Sequence, residues 1–377
     1  MKQILFLVIC LYACQSRNTQ SNDMPQPDNR PMIFVGTYTQ KLGHVDGKAT
    51  GIYTCRFNSE TGALTVTDTA TGIDNPSFVC ISPDKKFLFA VAENGGKPEQ
   101  PFGSVASYRI GENGKLQKIN EVPSYGVAPC YVSTDKSGKF VLVANYATGN
   151  VSTYGVNAEG QLTDSLCTVK HPGKSPWAHM IIPGPDNSHI WAVDKGADRV
   201  FIYDLDAEGR LNERFSFSTE KGAGPRHLAF NPVKPEQFAV INENNSTLNY
   251  YQQSDDFDIK RLDSLSTLPA DFKEKNSCAD VHFHPNGKFL YGSNRGHNSI
   301  VVYAVDTETG KMALVQHQPT LGDIPRNFMI TPDGKWLLAA NQNSSTVAAF
   351  RIDAATGKLT PAGQPSAVPT PVCLMMK

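Results

Sequence analysis

The sequence predicts an all-β fold, a seven-bladed β-propeller with four antiparallel strands in each blade. A Pro- or Cys-led apolar segment occurs seven times, with copies 46 to 53 residues apart, which is typical of propeller blades. Two further apolar segment types and a fourth strand after a polar turn accompany each copy. Short apolar runs bounded by Gly, Pro, Asn and Asp indicate strands rather than helices.

The first segment type, as in GPRHLAFNP and IPRNFMITP, is predicted to form the innermost strand of each blade. The second type follows a polar turn, as in FVLVANYA and WLLAANQN, and its seventh copy is IFVGTYT near the N-terminus. The third type includes GIYTCRF and SIVVYAV, and the fourth strand follows turns such as TGAL, NGKL and EGQL. The first segments begin at Pro76, Pro129, Pro176, Pro225, Cys278, Pro325 and Pro371.

The two chain ends are out of phase with this repeat. The N-terminal part supplies the second, third and fourth strands of one blade, and the C-terminal segment TPVCLMM is a first strand without a blade. We therefore expect the segment after Thr370 to pair beside residues 33–38. That pairing closes the ring and removes the open strand edges that all-β proteins must protect.

The first residues are predicted to be a targeting segment, so that residues 1–14 are a signal, 15–30 a flexible tether and 31–377 the propeller. The apolar run at residues 4–13 is too short to span a bilayer as a helix. Its end, Leu-Tyr-Ala-Cys, resembles the bacterial lipobox, which predicts a lipid anchor at Cys14. The alternative is an ordinary cleaved signal peptide. Both predict export, and the lipobox predicts a periplasmic or cell-envelope lipoprotein of a bacterium.

Composition argues against several classes of function. With 35 Lys and Arg against 36 Asp and Glu, the chain has no basic footprint for nucleic acid, and we expect membrane contact only through the lipid. The eight Cys include no CxxC pair, which argues against a zinc site. His282, His284 and His297 lack a Cys or carboxylate at ligand spacing. We expect a monomer with no metal and no cofactor.

The candidate site is predicted at one end of the propeller. In an antiparallel blade the start of the first strand and the end of the second strand lie at the same end, beside the central channel. Arg recognises carboxylate or phosphate, and Glu and His transfer protons, so the predicted ligand is a small anion with a carbonyl or hydroxyl centre. The starts of the first strands place His179, Arg226, His227, Asp280, Arg326 and Asn327 at this end. The ends of the second strands place there Tyr38, Glu93, Asn145, Tyr146, Asp194, Lys195, Glu243, Asn294, Arg295 and Asn341.

The motifs GPRHLAFNP, NENNSTL, SNRGHNSI, IPRNFMITPDGKWLLAANQ and VGTYT occur in this sequence in a spacing that resembles the propeller lactonase family. That family includes 6-phosphogluconolactonase and the fungal 3-carboxy-cis,cis-muconate cyclising enzyme, and the resemblance runs from about residue 33 to the C-terminus. It implies a catalytic set of one His, two Arg and one Glu, which falls on His179, Arg226, Arg295 and Glu243. Trp177 stands where the family often has the first His of His-x-His.

The resemblance implies 6-phosphogluconolactonase-like hydrolysis of a small anionic lactone. We expect Glu243 to activate water, His179 to protonate the leaving oxygen or stabilise the oxyanion, and the two arginines to bind the anion. No Ser lies in a nucleophile-elbow motif, so a covalent acyl-enzyme is not expected.

The predicted substrate-binding residues are His227, Arg326, Glu93, Asn145 and Lys195. For Arg326 a structural salt bridge is the favoured interpretation, and His227 is interpreted mainly as orienting Arg226 or bonding a backbone carbonyl. Two other functions stay open: a carboxymuconate-type cyclase, and a non-catalytic surface propeller that binds a glycan or a protein. Because phosphogluconolactone is cytosolic, export favours an unphosphorylated sugar lactone or another anionic lactone.

Overall fold

The computed structural model describes residues 28–254 and 257–377. The predicted signal at residues 1–14, with Cys14, and residues 15–27 of the predicted tether lie outside the described residues. The described part of the chain forms seven blade sheets and one two-stranded hairpin, with strands from Met32 to Met376. It contains no helix long and apolar enough to cross a membrane.

Each blade is an antiparallel sheet of four strands, numbered here from the channel outwards, and the predicted seven-bladed propeller is confirmed. The first strands of blades 1 to 7 are Pro371–Met376, Val79–Ile81, Pro129–Thr134, Ala178–Pro183, Pro225–Phe230, Ser277–Phe283 and Pro325–Ile330. The second strands are Met32–Thr37, Phe87–Ala92, Phe140–Asn145, His189–Asp194, Gln237–Asn242, Phe289–Arg295 and Trp336–Asn341.

The third strands, in the same blade order, are Ile52–Phe57, Ser104–Ile110, Asn150–Val156, Arg199–Leu205, Thr247–Gln253, Ser299–Asp306 and Thr346–Ile352. The fourth strands are Leu64–Ala70, Leu116–Pro123, Leu162–Lys170, Leu211–Ser218, Ile259–Ser266, Lys311–Pro319, and in blade 7 the separate pieces Leu359–Pro361 and Ser366–Ala367. Blade 1 also carries a short hairpin, Lys41–Leu42 with Val45–Asp46, between its second and third strands.

The C-terminal strand closes the ring as predicted. It pairs antiparallel with the second strand of blade 1, with Ile33 opposite Met376 and Val35 opposite Leu374. The backbone N–H of Lys377 also donates to the carbonyl of Met32 at 2.9 Å. Blade 1 is therefore assembled from both ends of the chain, and no blade in the ring is left without its innermost strand.

The core lies between neighbouring blades. The second strands are almost fully buried, whereas the fourth strands alternate between exposed and partly buried residues. Apolar clusters are shared by adjacent blades; one joins Phe89 of blade 2 to Val143 of blade 3. Of the described cysteines, Cys55 and Cys278 illustrate the common role, since they are free and fully buried among apolar side chains.

The turn between the third and fourth strands of a blade packs against the preceding blade. Gly160 has φ +83°, a conformation that favours glycine, and a Cβ there would lie 2.3 Å from the ring of Phe87 in the previous blade. The carbonyl of Gly209 accepts a hydrogen bond of 2.6 Å from the Thr153 hydroxyl of the previous blade. The glycine in the sequence turns EGQL and EGRL is thus required by close packing between blades.

Most of the first strands carry a β-bulge at their start, and this irregularity positions the site. In blade 5 Pro225 pairs with Asn242 and His227 pairs with Ile241, so that Arg226 is extruded from the ladder. Blades 3, 4 and 7 have the same shift. A bulge re-aims the side chain of the extra residue, here towards the mouth of the channel.

Candidate active site

Two rings of side chains, each from one position of the repeat, line the mouth of the channel. The first ring comes from the bulged starts of the first strands and includes Cys130, His179, Arg226, Arg326 and Val372. The second ring comes from the ends of the second strands. In blade 6 its member is the last residue of that strand, Arg295. In the other blades it is the residue directly after the strand: Tyr38, Glu93, Tyr146, Lys195, Glu243 and Gln342. Most of the predicted site residues belong to these rings.

Glu243 is the centre of an ion-pair cluster at the mouth. Its Oε2 lies 3.0 Å from Nε of Arg226 and 2.9 Å from Nη2 of Arg295. Its Oε1 accepts a hydrogen bond of 2.6 Å from Nζ of Lys195. All four side chains are at most 13% exposed. The structure thus brings together three of the predicted catalytic residues and one of the predicted binding residues.

The electrostatics of this cluster argue against the predicted general-base role of Glu243. Burial by itself raises the pKa of this carboxyl, but the three surrounding cations outweigh it and lower the pKa from 4.5 to about 2. A carboxylate with such a low pKa holds protons weakly, and both of its oxygens are already occupied by cations. Glu243 is better suited to fix the positions of the cations than to deprotonate water.

The predicted role of Arg226 and Arg295 as anion receptors is weakened for the same reason. Besides its ion pair, Arg226 donates from Nη1 to the carbonyl of Ala279, and Arg295 donates from Nη2 to the carbonyl of Cys278 at 3.0 Å. Much of their hydrogen-bonding capacity is therefore used within the protein. Burial and the neighbouring arginines lower the pKa of Arg226 to about 10. Because this pKa is still well above 7, Arg226 stays protonated at neutral pH and its positive charge acts on the cavity.

His227 forms a buried pair with Asp280, a contact that the sequence analysis did not anticipate. Nδ1 of His227 lies 2.7 Å from Oδ1 of Asp280. The other oxygen, Oδ2, accepts from Asn327 at 2.5 Å and lies 3.0 Å from Nε2 of His282. An ionised Asp280 keeps the proton of His227 on Nδ1 and leaves the lone pair on Nε2, where Nη1 of Arg226 lies 3.4 Å away in a long hydrogen bond. Burial, together with Arg226, lowers the pKa of His227 to about 4, so that the ring is neutral at pH 7.

His179 lies beside His227, with ring centroids 5.2 Å apart. Its Nδ1 is buried and has no hydrogen-bond partner among the described residues. Burial and the charge of Arg226 hold the pKa of His179 well below its usual range. Both imidazoles line a small cavity of about 10 Å³, which is the space of about one water molecule.

Arg326 differs from the other two arginines, and its predicted structural salt bridge is not formed. Among the described residues its guanidinium has neither an ion pair nor a hydrogen bond; it lies over the ring of Tyr38, 5.4 Å from the centroid. It lines both the small cavity and an open pocket of about 280 Å³. Arg295 and Lys275 also line that pocket, so that three cations make it basic and suited to an anion.

The hairpin of blade 1 forms one wall of this basic pocket through His44. The hairpin is attached at two sides: the backbone N–H of Gln40 donates to Oδ1 of Asn75 at 3.0 Å, and that of Lys48 donates to the Thr370 hydroxyl at 2.9 Å. The ring of His44 packs edge-on against Tyr38. An insertion in one blade thus makes the mouth asymmetric.

The structure places the last two predicted binding residues differently. Glu93 lines the small cavity, where its Oε2 accepts from Tyr38 at 2.8 Å and from the Ser77 hydroxyl. Asn145 does not reach the mouth. Its side chain is fully buried and donates to the carbonyl of Ser124 at 3.1 Å, as Asn341 does to Thr320 in blade 7. Asn145 therefore stabilises its own blade, and its neighbour Tyr146 contacts the site.

Comparison with known proteins identifies the family. A family model described as a seven-bladed β-propeller lactonase matches residues 32–376. The chain belongs to this lactonase family. It is 32% identical over 304 residues to the 6-phosphogluconolactonase of Bacillus subtilis, covering 78% of this chain and 84% of that one. It is 33% identical over 315 residues to the 6-phosphogluconolactonase of Formosa agariphila, covering 79% and 86%.

Solved structures of similar proteins share the whole lactonase propeller. The periplasmic gluconolactonase of Pseudomonas aeruginosa superposes with a TM-score of 0.85 at 30% identity, covering 92% of this chain and 98% of that one. A protein of Bacteroides fragilis superposes with a TM-score of 0.84 at 30% identity, covering 94% and 100%. The predicted resemblance to propeller lactonases is confirmed.

Two residues of this lactonase site were expected at the mouth but were given no role. Asp280, in the irregular start of the first strand of blade 6, holds His227, and Tyr146, which occupies the same repeat position as Glu243, contacts His179. Lys275 reaches the basic pocket from the loop before blade 6 and was not predicted. Lys275 lies in a loop of no repeating length, and no sequence signal indicates its position.

Proposed function

We propose that the protein hydrolyses the ring ester of a sugar lactone at the channel mouth and releases the hydroxy acid. The observation that carries this proposal is the pair of buried, neutral imidazoles of His179 and His227 beside a cluster of cations. A neutral imidazole accepts a proton from water, and fixed positive charge stabilises the oxyanion that forms when water attacks an ester. The lactonase relatives in Bacillus subtilis and Pseudomonas aeruginosa support the same reaction class.

In the proposed reaction the water oxygen bonds to the lactone carbonyl carbon, and Nε2 of His227 takes the proton. The oxyanion forms near the guanidinium groups of Arg226 and Arg326 and gains from their charge. When the tetrahedral intermediate collapses, its bond to the ring oxygen breaks and the proton on His227 is transferred to that oxygen. The neutral ring of His179, in the tautomer that carries its hydrogen on the unpartnered Nδ1, donates a hydrogen bond to the ring oxygen. One water is added in total.

The substrate is proposed to carry an anionic group, phosphate or carboxylate, on the side of the mouth formed by blades 6, 7 and 1. Arg326 supplies guanidinium donors that have no partner among the described residues. Lys275 and Arg295 add positive charge to the same pocket of about 280 Å³. A phosphorylated sugar lactone and a lactone of a dicarboxylic sugar acid both satisfy this chemistry.

A panel of lactones tests the proposal. Glucono-1,5-lactone, its 6-phosphate and a glucaro-lactone would be followed by acid release in a pH-stat, against spontaneous hydrolysis. We expect turnover of at least one anionic lactone, and His227→Gln to lower kcat by about 10²–10⁴. His189→Gln, a histidine paired with Asp186 next to the turn between the first and second strands of blade 4, is the matched control and should not change the rate. Absence of turnover on every lactone, or full activity of His227→Gln, would overturn the proposal.

We also propose that the enzyme acts outside the cytosol as a lipoprotein anchored at Cys14. The support is the lipobox-like end of the N-terminal apolar run. Cells expressing the full chain would be labelled with a palmitate analogue and fractionated. We expect label on the wild type and none on Cys14→Ser. Label that persists in Cys14→Ser refutes the anchor, and export without any label identifies an ordinary signal peptide.

A further inference from the structure

An exposed tryptophan lies on the rim of the mouth, next to the imidazole pair. Trp177 is 38% exposed, whereas the other two tryptophans, Trp191 and Trp336, are each 1% exposed. Its ring stacks on Tyr146, with centroids 5.8 Å apart and an angle of 23° between the planes. Tyr146 in turn packs edge-on against His179 at 5.6 Å. A continuous aromatic surface therefore runs from the site to solvent.

This surface is held in place by the surrounding backbone. The N–H of Trp177 donates to Oδ1 of Asp194 at 2.8 Å, and its carbonyl accepts from the N–H of Lys195 at 3.0 Å. The ammonium of Lys195 lies 5.7 Å from the centroid of the Trp177 ring and is bound to Glu243. An exposed aromatic ring fixed in this way loses little conformational freedom when a ligand binds to it.

A flat aromatic face with a hydrogen-bond donor at its edge matches a pyranose ring, which has an apolar C–H face and a rim of hydroxyls. In the proposed reaction the lactone carbonyl approaches the two imidazoles from the mouth, and Trp177 is one aromatic ring further out, beyond Tyr146. Blades 3 and 4 form this side of the mouth, whereas the basic pocket lies at blades 6, 7 and 1. The aromatic side is thus free to hold a neutral part of the substrate.

We infer that the rim formed by Trp177, Tyr146 and Lys195 binds a second pyranose ring joined to the lactone. The substrate class is then the lactone of a disaccharide or longer sugar acid. This inference rests on the proposed lactonase activity. It adds a sugar subsite to that activity and makes Trp177 a specificity-determining residue.

Tryptophan fluorescence tests the subsite without any turnover. Because Trp191 and Trp336 are buried, a change in emission on adding a sugar acid reports on Trp177. We expect saturable quenching by cellobionate and little by gluconate at the same concentration. Trp177→Phe should abolish the cellobionate response while keeping the emission of the buried tryptophans. No response to cellobionate, or an equal response in Trp177→Phe, would overturn the inference.

Kinetics supply the second test. The ratio of kcat/KM for cellobiono-1,5-lactone to that for glucono-1,5-lactone should fall at least tenfold in Trp177→Ala. Phe102→Ala, which removes another exposed aromatic side chain on a different blade, should leave that ratio unchanged. If gluconolactone is hydrolysed but the ratio does not respond to Trp177→Ala, the subsite is refuted and the lactonase activity stands. If neither of these neutral lactones is hydrolysed, the turnover of the anionic lactones decides the proposed activity, and the fluorescence result alone decides whether the rim binds sugar.

Discussion

Replacing Glu243 by Gln removes the carboxylate that three buried cations share. The pKa of Glu243 falls from 4.5 to about 2 in the folded protein. Since one pKa unit corresponds to about 1.4 kcal/mol, the ionised carboxylate stabilises the fold by ~3 kcal/mol at neutral pH. Gln keeps the size of the side chain but cannot supply this charge. We therefore expect Glu243→Gln to lower the free energy of unfolding by about that amount at pH 7, measured by urea denaturation.

The pH dependence of this loss has a definite sign. Because the pKa is lower in the folded state, the stabilisation is complete above about pH 5 and is lost as the pH falls from 4.5 through about 2. At pH 3 only ~1.4 kcal/mol should remain, so the difference between wild type and Glu243→Gln narrows on acidification. Activity of the variant should fall because Arg226, Arg295 and Lys195 move, with no change in the shape of the pH–rate profile.

A surface ion pair provides the matched control. Glu308 binds Lys234 but is 81% exposed, and exposed pairs contribute little to stability. Glu308→Gln should therefore leave the urea midpoint unchanged at both pH values. A destabilisation of Glu243→Gln below about 1 kcal/mol at pH 7, or one that is equal at pH 3 and pH 7, would refute the role assigned to this carboxylate.

Three further results are expected. Deleting residues 370–377 removes the innermost strand of blade 1 and should abolish the cooperative unfolding transition of the propeller, which calorimetry would measure. A cooperative transition at the wild-type temperature would contradict the ring closure. Asp280→Asn should lower kcat by about 10²–10⁴ with the fold retained by circular dichroism, because the amide no longer holds the proton of His227 on Nδ1; an unchanged kcat would exclude this pairing from the mechanism. Arg326→Gln should raise KM at least tenfold for the anionic lactone and much less for gluconolactone, and equal effects on both would remove Arg326 from anion binding.

The fold was predictable because each of the four strands of a blade recurs along the sequence as a recognisable segment. Seven copies of each strand type fix the blade count, and the mismatch of phase between the two ends predicts the closure of blade 1. The extra hairpin at residues 41–46 and the split outer strand of blade 7 were not predicted, since each occurs only once and has no repeating signal.

The sequence placed the residues of the mouth to within about one position, and in blade 3 this did not separate the residue that faces the mouth from its neighbour. Asn145 and Tyr146 both follow the apolar run of blade 3, and the pleat of the strand directs the first into the blade and the second to the mouth. The partner of each charge depends on contacts between blades, so the sequence alone could not show that Arg226 is paired while Arg326 is open. Those pairings change the roles that the residues can take.

The pairing of Lys377 with Met32 places both ends of the propeller on the face opposite the site. The second strand of blade 1 runs from Met32 towards the mouth, and the C-terminal strand runs back from it. A lipid at Cys14 would therefore hold the enzyme by the face opposite the mouth and direct the mouth away from the membrane. Fully extended, the chain between residues 14 and 30 reaches at most about 55 Å, which sets how far from the bilayer surface substrate could be captured.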